Sequence, residues 1–376
     1  MLNRIFKIKD TVDVFVSETE SPGIVLIIFH KMTTRDRIEI LASKSVAELL
    51  ALLNGKDSVI DILKQMGDFK EDQANELFNF LSQQHLIVDS CEDTGKDHRY
   101  KRQVAYFDDM ILDRPGIETQ NILASKKVVI LGCGAVGSAI AEILVRAGVS
   151  RIVLVDYKKL TKQSISRHLF ATEKDVGEYK VKALATYLSK INTNLSINTY
   201  CDMLLPDSDL SAWIDDDVSI VINGCDEPYI GYTSLKIGRY LSNRGIALYV
   251  MGGFDAHLMS SGELILPPIT PCIDCAQQTF TKALGDWKPV YSAVDVSNAN
   301  SDSAQPVSSN YVAGGPGGLA MMSGFSASMA ALTILQFLAE DSNLDYNIKR
   351  YEYLINKGEM TEFKLQKQEK CNVCNQ

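Results

Sequence analysis

The sequence predicts an α/β protein with a mostly parallel sheet, preceded by a smaller α+β module. From residue 126 onwards, strand-like and helix-like runs alternate: KKVVILG, AVGSAIAEILVRAG, RIVLVD, KVKALATYLSKIN, SIVINGCD and IALYVMGG. That alternation is typical of parallel strands joined by crossover helices. The first ninety residues instead place strands before helices. A chain of 376 residues can form two cores, so we expect domains at 1–92 and 93–376.

The N-terminal module begins with the β-like runs VDVFV and GIVLIIF. Three segments with helical spacing of apolar residues follow: SVAELLALLNG, SVIDILKQMG and EDQANELFNFLSQQHLIV. This order resembles a winged helix, a fold often used to read DNA, but its helices carry no dense Lys/Arg stripe. Capture of an extended peptide on a sheet edge is the alternative use, and a plain packing or dimerisation domain is the third possibility.

Charge and hydropathy exclude two classes of partner. The net charge of -9 argues against a nucleic-acid-binding face, which needs clustered basic residues. No stretch reaches about 18 uninterrupted apolar residues, and the first residues lack the apolar run of a signal peptide. Residues 323–339 come closest, but their serines and helical spacing predict a buried helix. We therefore expect a cytoplasmic protein with neither a nucleic-acid nor a membrane partner.

Two polar stretches interrupt the pattern. Residues 90–103, SCEDTGKDHRYKRQ, are highly charged and predict a linker between the two cores. Residues 286–318 are rich in Ser, Asn, Pro and Gly and predict a long loop, for which a binding role and simple disorder are both open.

Four of the eight cysteines form two CxxC pairs, Cys272 with Cys275 and Cys371 with Cys374. Each pair can present two thiolates from one turn, and two pairs complete the tetrahedral shell of a structural zinc site. Unrelated thiols or a redox pair are the alternative. A closed shell leaves no position for substrate, so the expected Zn²⁺ stabilises the fold and takes no part in chemistry.

A nucleotide site is predicted directly after the strand KKVVIL. Gly132, Gly134 and Gly137 form the GxGxxG fingerprint of a Rossmann-like domain, and an amphipathic helix follows. The helix N-terminus offers free N–H groups to phosphate, while Asp156, at the end of the next strand, can bind ribose hydroxyls. The fingerprint alone favours a nicotinamide or flavin enzyme.

Further residues change that interpretation. Arg167 and Lys180 add two cations if their loop folds back, which suits a triphosphate better than a dinucleotide, although solvated surface charge is their ordinary role. Asp226 ends the strand SIVINGCD at the edge where such sheets bind ligands; capping of the next helix is its alternative role.

Together, the motifs GCGAVG, VD, SRHLF, DVGEYK, NGCDEP and the paired CxxC resemble the ThiF/MoeB/E1 adenylating family from about residue 99 to the C-terminus. The resemblance implies ATP and Mg²⁺ as cofactors, with Asp156 holding the ribose, Arg167 and Lys180 the phosphates, and Asp226 the magnesium. The segment RYKRQ is similar to the family's entry motif. Its second arginine, Arg102, would reach the site of a neighbouring subunit, which implies a homodimer.

Three positions depart from the family pattern. Lys158 stands where an aspartate is usual, Ser164 replaces an asparagine and is kept as a candidate for cofactor binding, and His168 replaces a glutamine. No cysteine lies between Cys275 and Cys371, so the thioester nucleophile that some relatives carry there is missing. Another group is then expected to attack the activated carboxylate directly.

The N-terminal module is similar to the leader-peptide clamps of enzymes that modify ribosomally made peptides. Together with the adenylating domain, it resembles the maturation enzymes of microcin C7 and pantocin A. We therefore predict ATP-dependent activation of a carboxylate on a ribosomally made precursor peptide, in the biosynthesis of a peptide antibiotic. A sulfur-carrier protein adenylyltransferase is the alternative enzyme. A nucleotide-sensing DNA-binding regulator is the alternative from another class.

Overall fold

A computed structural model describes residues 1–67, 70–90, 99–227, 229–252, 259–283, 318–341, 344–346 and 349–374. By its packing the chain divides into two compact units, Met1–Gln120 and Asn121–Gln376. Most of the predicted loop at 286–318 lies outside the described residues. Its last residue, Gly318, is described and has a φ of +114°.

Unit 1 combines a small antiparallel sheet with helices. Strands β2, β3 and β4 pair in that order, and the short strands β1 and β5 form a second pair. Val25, Ile27 and Phe29 alternate along β3 and are buried against the helices, because successive strand residues face opposite sides. The elements are β1 (Phe6–Ile8), β2 (Val12–Glu18), β3 (Ile24–Lys31), β4 (Arg37–Ser43), α1 (Lys44–Leu52), α2 (Val59–Met66), α3 (Glu71–Gln83), β5 (Ile87–Asp89), α4 (Lys101–Met110) and α5 (Gly116–Ser125), which crosses into unit 2.

The helix boundaries follow local chemistry. Ser58 caps α2 by accepting a hydrogen bond from the Asp61 N–H, and Gly67 ends that helix with a φ of +90°, a conformation that favours glycine. The third helical segment is shorter than its apolar pattern indicated. Helix α3 ends at Gln83, His85 turns the chain at a φ of +54°, and the apolar residues that follow form β5.

The stretch predicted as a linker is partly helical. Residues 91–98 lie outside the described part of the chain, but α4 begins at Lys101. Helix α4 packs within unit 1, where the Lys9 ammonium donates to the Asp108 carbonyl (2.9 Å) and to the Asp109 carboxylate (3.0 Å). A segment that the sequence analysis assigned to the second domain is thus held by the first ninety residues. The spacing of Val104 and Phe107, both buried, was the available helical signal.

Unit 2 contains a six-stranded sheet in the order β12-β10-β9-β6-β7-β8. Strands β6 to β10 are parallel and only β12 is antiparallel, which confirms the predicted α/β fold. The elements are β6 (Lys127–Leu131), α6 (Ala135–Ala147), β7 (Arg151–Val155), α7 (Lys162–Ile165), α8 (Lys180–Ile191), β8 (Ser196–Tyr200), β9 (Ile220–Asn223), α9 (Ile230–Leu241), β10 (Ala247–Met251), β11 (Met259–Ser260), β12 (Gly262–Ile265), α10 (Ile273–Ala283), α11 (Ala320–Leu338), β13 (Lys349–Leu354) and β14 (Glu359–Lys364), with short 3-10 turns at Glu173–Asp175 and Leu210–Ala212.

The strand order determines where a ligand can bind. From β6 the chain proceeds to β7 and β8 on one side, then returns to form β9 and β10 on the other. The connections after β6 and β9 therefore leave the sheet in opposite directions and open a crevice at the carboxyl ends of these two strands, the usual ligand position in doubly wound sheets.

Helix α11 is long and apolar enough to cross a membrane by length and composition, and among the described residues it is the one helix that meets this test. Core helices of soluble proteins pass the same test. Ala327, Ala330, Ala331 and Ile334 are buried, and α11 packs against α6. This burial agrees with the core helix predicted for residues 323–339.

Candidate nucleotide site and metal centre

The turn between β6 and α6 needs its glycines for different reasons. Gly132 has a φ of +90°, and a Cβ there would lie 2.7 Å from the Gly224 backbone. A Cβ on Gly137 would lie 2.2 Å from the Gly132 carbonyl oxygen, so this glycine lets α6 pack on the turn. Gly134 is the N-cap of α6 and has open space around it. The turn thus leaves room for a ligand at the N-terminus of α6.

Asp156 braces this turn from the end of β7. One of its carboxylate oxygens accepts a hydrogen bond from the Cys133 N–H, and the other accepts one from the Lys158 N–H, both at 2.8 Å. The side chain is 9% exposed, and Asp156 lines the cavity. Each oxygen keeps a lone pair, so the carboxylate can still accept hydrogen bonds from ribose hydroxyls.

The cavity has a volume of about 290 Å³ and contains most of the predicted site. It brings together Gly132, Gly134, Asp156, Arg167, Lys180 and Asp226. Lys180 begins helix α8, and its N–H donates to the Lys158 carbonyl at 3.0 Å. The loop from 157 to 180 therefore folds back to the end of β7, and Arg167 and Lys180 line one cavity, as predicted.

Two buried nitrogen atoms in this cavity have no hydrogen-bond partner within the described chain, Arg167 Nε and His168 Nε2. Burial, and then the charge of Lys180, lower the pKa of His168 to about 4, so its ring is neutral near pH 7. Its Nδ1 lies 3.0 Å from the Ser164 carbonyl and donates to it, which leaves the Nε2 lone pair as an acceptor. Buried atoms without partners indicate a place that a polar ligand can fill.

Asp226 follows β9 at the cavity wall. Burial raises the pKa of its carboxyl, although part of the side chain remains open to solvent; Lys158 opposes this shift and Glu227 reinforces it. The N-cap of α9 is Tyr229, so the helix-cap alternative for Asp226 does not apply. A carboxylate at this edge is a suitable ligand for Mg²⁺, and Asp202 lines the same cavity.

Sequence reasoning missed one cluster in the cavity. Glu227 accepts hydrogen bonds from the Tyr157 hydroxyl and the Lys158 ammonium, and Lys158 also lies over the Tyr157 ring at 5.6 Å. Lys158 had been noted only as a departure from the family pattern. The available signals were its position two residues after Asp156 and the acidic neighbour of Asp226.

Three predicted site residues lie away from the cavity wall. Ser164 is buried in the capping box of α7, where its hydroxyl contacts Thr161, so its side chain has a local structural partner. Gly137 lies behind the turn and acts through packing. Arg102 lies on the exposed side of α4 in unit 1. Their functional roles stay predictions.

The four cysteines of the CxxC pairs converge, with sulfur atoms all within 4.8 Å of one another. Cys272 Sγ lies 3.5 Å from Cys371 Sγ, and Cys275 Sγ lies 3.6 Å from Cys374 Sγ. A tetrahedral shell with metal–sulfur bonds of about 2.3 Å separates its sulfurs by about 3.8 Å. The N–H groups of Cys272 and Gln368 point at Cys374 Sγ and Cys275 Sγ, both at 3.3 Å, and can stabilise thiolates. The cluster fits one metal ion, and zinc remains our prediction for its identity.

Comparisons with known proteins agree with this geometry. The ThiF family model matches residues 100–373. MccB of Escherichia coli, solved with ATP, superposes with a TM-score of 0.68 at 17% identity, covering 99% of each chain, and PaaA superposes with a TM-score of 0.66 at 17% identity, covering 96% of this chain and 100% of that one. These two likenesses establish the fold. The adenylyltransferase and sulfurtransferase MOCS3 of Sus scrofa is 33% identical over 108 residues, which are 29% of this chain and 22% of that protein. The chain thus spans less than a quarter of that relative.

Replacing Gly137 with alanine tests the packing of the turn. Helix propensity alone favours alanine by about 1 kcal/mol, so a loss of stability isolates the contact with the Gly132 carbonyl. We expect Gly137→Ala to lower the free energy of unfolding by about 2 kcal/mol. Gly134→Ala, with open space around it, is the control and should stay within about 0.5 kcal/mol of wild type. Urea unfolding measures both; equal stability of the two variants would contradict the packing role.

Metal analysis tests the cysteine cluster. We expect about one zinc ion per chain by mass spectrometry of the purified protein. Cys371→Ser should lose the metal and lower Tm by roughly 10 °C, because structural zinc contributes several kcal/mol to folding. Cys201→Ser, a half-buried cysteine outside the cluster, is the control and should retain the zinc. A metal-free wild type with an unchanged Tm in Cys371→Ser would refute the site.

Proposed function

This chain belongs to the ThiF family, and from that membership and the geometry of the cavity we propose that it is an ATP-dependent enzyme that adenylates a carboxylate. The observation that carries the proposal is the cavity at the ends of β6 and β9. Its glycine turn accepts phosphate, Asp156 can bind ribose, and buried nitrogens of Arg167 and His168 lack partners among the described residues. We assign Arg167 and Lys180 to the phosphates and Asp226 to Mg²⁺.

The proposed reaction follows from these charges. A carboxylate oxygen of the substrate attacks the α-phosphorus of ATP, the bond from that phosphorus to the bridging oxygen breaks, and pyrophosphate leaves. Negative charge grows on the departing pyrophosphate, and cations placed beforehand stabilise it most effectively. Arg167 and Lys180 provide that countercharge. Mg²⁺ bound by Asp226 would add to it.

We propose a ribosomally made precursor peptide as the substrate. MccB, whose fold covers both units of this chain, is a microcin C7 biosynthetic enzyme and has been solved with N-formylated and with selenomethionine-containing MccA. A formylated, methionine-containing partner is a product of translation. In unit 1, β2 and β4 are the outer strands of their sheet within the described residues, and an open strand edge can pair with an extended peptide. By the same likeness, we propose a role in peptide-antibiotic biosynthesis. The resemblance of the RYKRQ segment to the family's entry motif is our reason for proposing a homodimer, and we propose that it acts in the cytoplasm.

What attacks the acyl-adenylate determines the product. Cys133 is fully buried and Cys225 lines the cavity, and burial raises the pKa of both thiols well above the ordinary value. Neither is an activated nucleophile. We propose that the peptide supplies the attacking group itself. Either an amide nitrogen attacks the phosphorus, so that the carboxylate leaves and AMP stays on the nitrogen, or a nucleophile of the peptide attacks the carbonyl carbon, so that AMP leaves and the peptide closes on itself.

Sulfur-carrier activation is the second candidate, because MOCS3 is an adenylyltransferase and sulfurtransferase. Its substrate would be a small protein with a Gly-Gly end. The gene beside this one distinguishes a peptide substrate from a sulfur-carrier substrate. A short open reading frame supports the peptide, and a sulfur-carrier gene supports the alternative.

ATP–pyrophosphate exchange tests the proposed activity. Wild-type protein with the peptide encoded by the neighbouring reading frame should incorporate labelled pyrophosphate into ATP. Asp226→Ala should reduce the exchange rate on the order of 100-fold, because it removes the proposed Mg²⁺ ligand and with it the positive charge that the metal would place on the reacting phosphates. Asp216→Ala removes an exposed carboxylate that pairs with Arg244 at 2.9 Å and should leave exchange intact. Formation of ADP without exchange would replace adenylation by phosphorylation.

A further inference from the structure

Lys158 is fixed at its backbone by two residues of the nucleotide site. Its N–H donates to the Asp156 carboxylate at 2.8 Å, and its carbonyl accepts from the Lys180 N–H at 3.0 Å. The main chain of Lys158 is therefore held between the proposed ribose ligand and a proposed phosphate ligand. Its side chain lines the same cavity as Arg167 and Lys180.

The ammonium of Lys158 has a resident partner. It donates to one oxygen of Glu227, and the Tyr157 hydroxyl donates to the other. The side chains of Lys158 and Glu227 are 39% and 25% exposed, so solvent reaches the pair. Burial acts to lower the pKa of Lys158, but Glu227, Asp226 and Asp156 outweigh it and raise the pKa, which keeps the amine charged.

A solvent-accessible pair of this kind can exchange partners. Water screens an ion pair that it can reach, so breaking this pair costs little free energy. Bonds from an ammonium to phosphate oxygens are charge-assisted and comparatively strong. The triphosphate brings several negative charges where Glu227 offers one, and Tyr157 still donates to Glu227 after Lys158 leaves.

Resting on the proposed function, we propose that Lys158 is a third phosphate-binding cation of the ATP site and that Glu227 is the counter-ion it leaves when the nucleotide binds. Glu227 then competes with ATP for Lys158. A purely structural ion pair is the opposing account. In that account the two residues support each other, and losing either one damages the site in the same direction.

The two accounts predict opposite changes in ATP affinity when Glu227 is replaced. Calorimetric titration of ATP and Mg²⁺ into the protein without peptide measures this change. Lys158→Met should weaken ATP binding about tenfold, the value of one charge-assisted hydrogen bond. Glu227→Gln should tighten it severalfold, because the lysine no longer has a charged competitor. Lys158→Gln serves as a second, polar replacement. Lys159→Met removes a neighbouring charge that lies over Tyr179 at 5.1 Å, and it should change affinity less than about twofold.

The double variant Lys158→Met with Glu227→Gln separates exchange from a general charge effect. If Glu227 acts through Lys158, its replacement has no effect once the lysine is gone. Tightening by Glu227→Gln in both backgrounds would reduce the effect to general electrostatics and overturn the proposal. Weaker binding in both single variants would establish a structural pair and also overturn it. A wild type that does not bind ATP would refute the proposed function itself, which distinguishes the two failures.

Discussion

The carboxylate of Asp156 is the constraint on which the nucleotide site depends. It joins three segments that are distant in sequence, because one oxygen holds the glycine turn through Cys133 and the other holds Lys158, whose carbonyl in turn holds Lys180. Three hydrogen bonds, two of them to one side chain, thus link the turn, the strand end and helix α8. Loss of this carboxylate would release the turn and also remove the proposed ribose ligand, so substitution of this residue would change architecture and binding together.

In unit 1, a single lysine side chain similarly joins segments that are distant in sequence. The first ninety residues form a sheet and helices with their own hydrophobic core. Lys9 connects them to α4 by hydrogen bonds to the Asp108 carbonyl and the Asp109 carboxylate. Lys9 and Asp109 are only 12% and 14% exposed, so this pair is better shielded from water than an ordinary surface pair. Arg102 is consequently carried by the same unit that contains the open strand edges. A peptide bound there would contact the unit that presents this arginine.

Local sequence patterns predicted what local physics determines. The strand and helix alternation, the glycine turn, Asp156 and Asp226 at strand ends, and the converging cysteines all follow from periodicity or from short spacings. The features that the sequence did not predict depend on contacts between residues far apart in the chain. Lys158 and Glu227 are 69 residues apart in sequence and meet only because β7 and β9 both end at the crevice. Similarly, the predicted linker at 90–103 included the first turn of α4, because Lys101, Arg102 and Gln103 are polar; the contacts of Lys9 with Asp108 and Asp109 show what holds this helix.

The charges of the cavity indicate which form of nucleotide it accepts. Its wall carries four carboxylates, Asp156, Asp202, Asp226 and Glu227, against three cations, Lys158, Arg167 and Lys180. His168 adds no positive charge near neutral pH, since its pKa is about 4. Free ATP would bring more negative charge into a wall that is already net negative, and Coulomb repulsion in a partly buried site is only weakly screened. Mg-ATP would bring its own countercharge, and its metal would be a partner for Asp226 under the proposed assignment. The excess of carboxylates, which would be unfavourable for a plain anion site, therefore favours a metal-bound triphosphate.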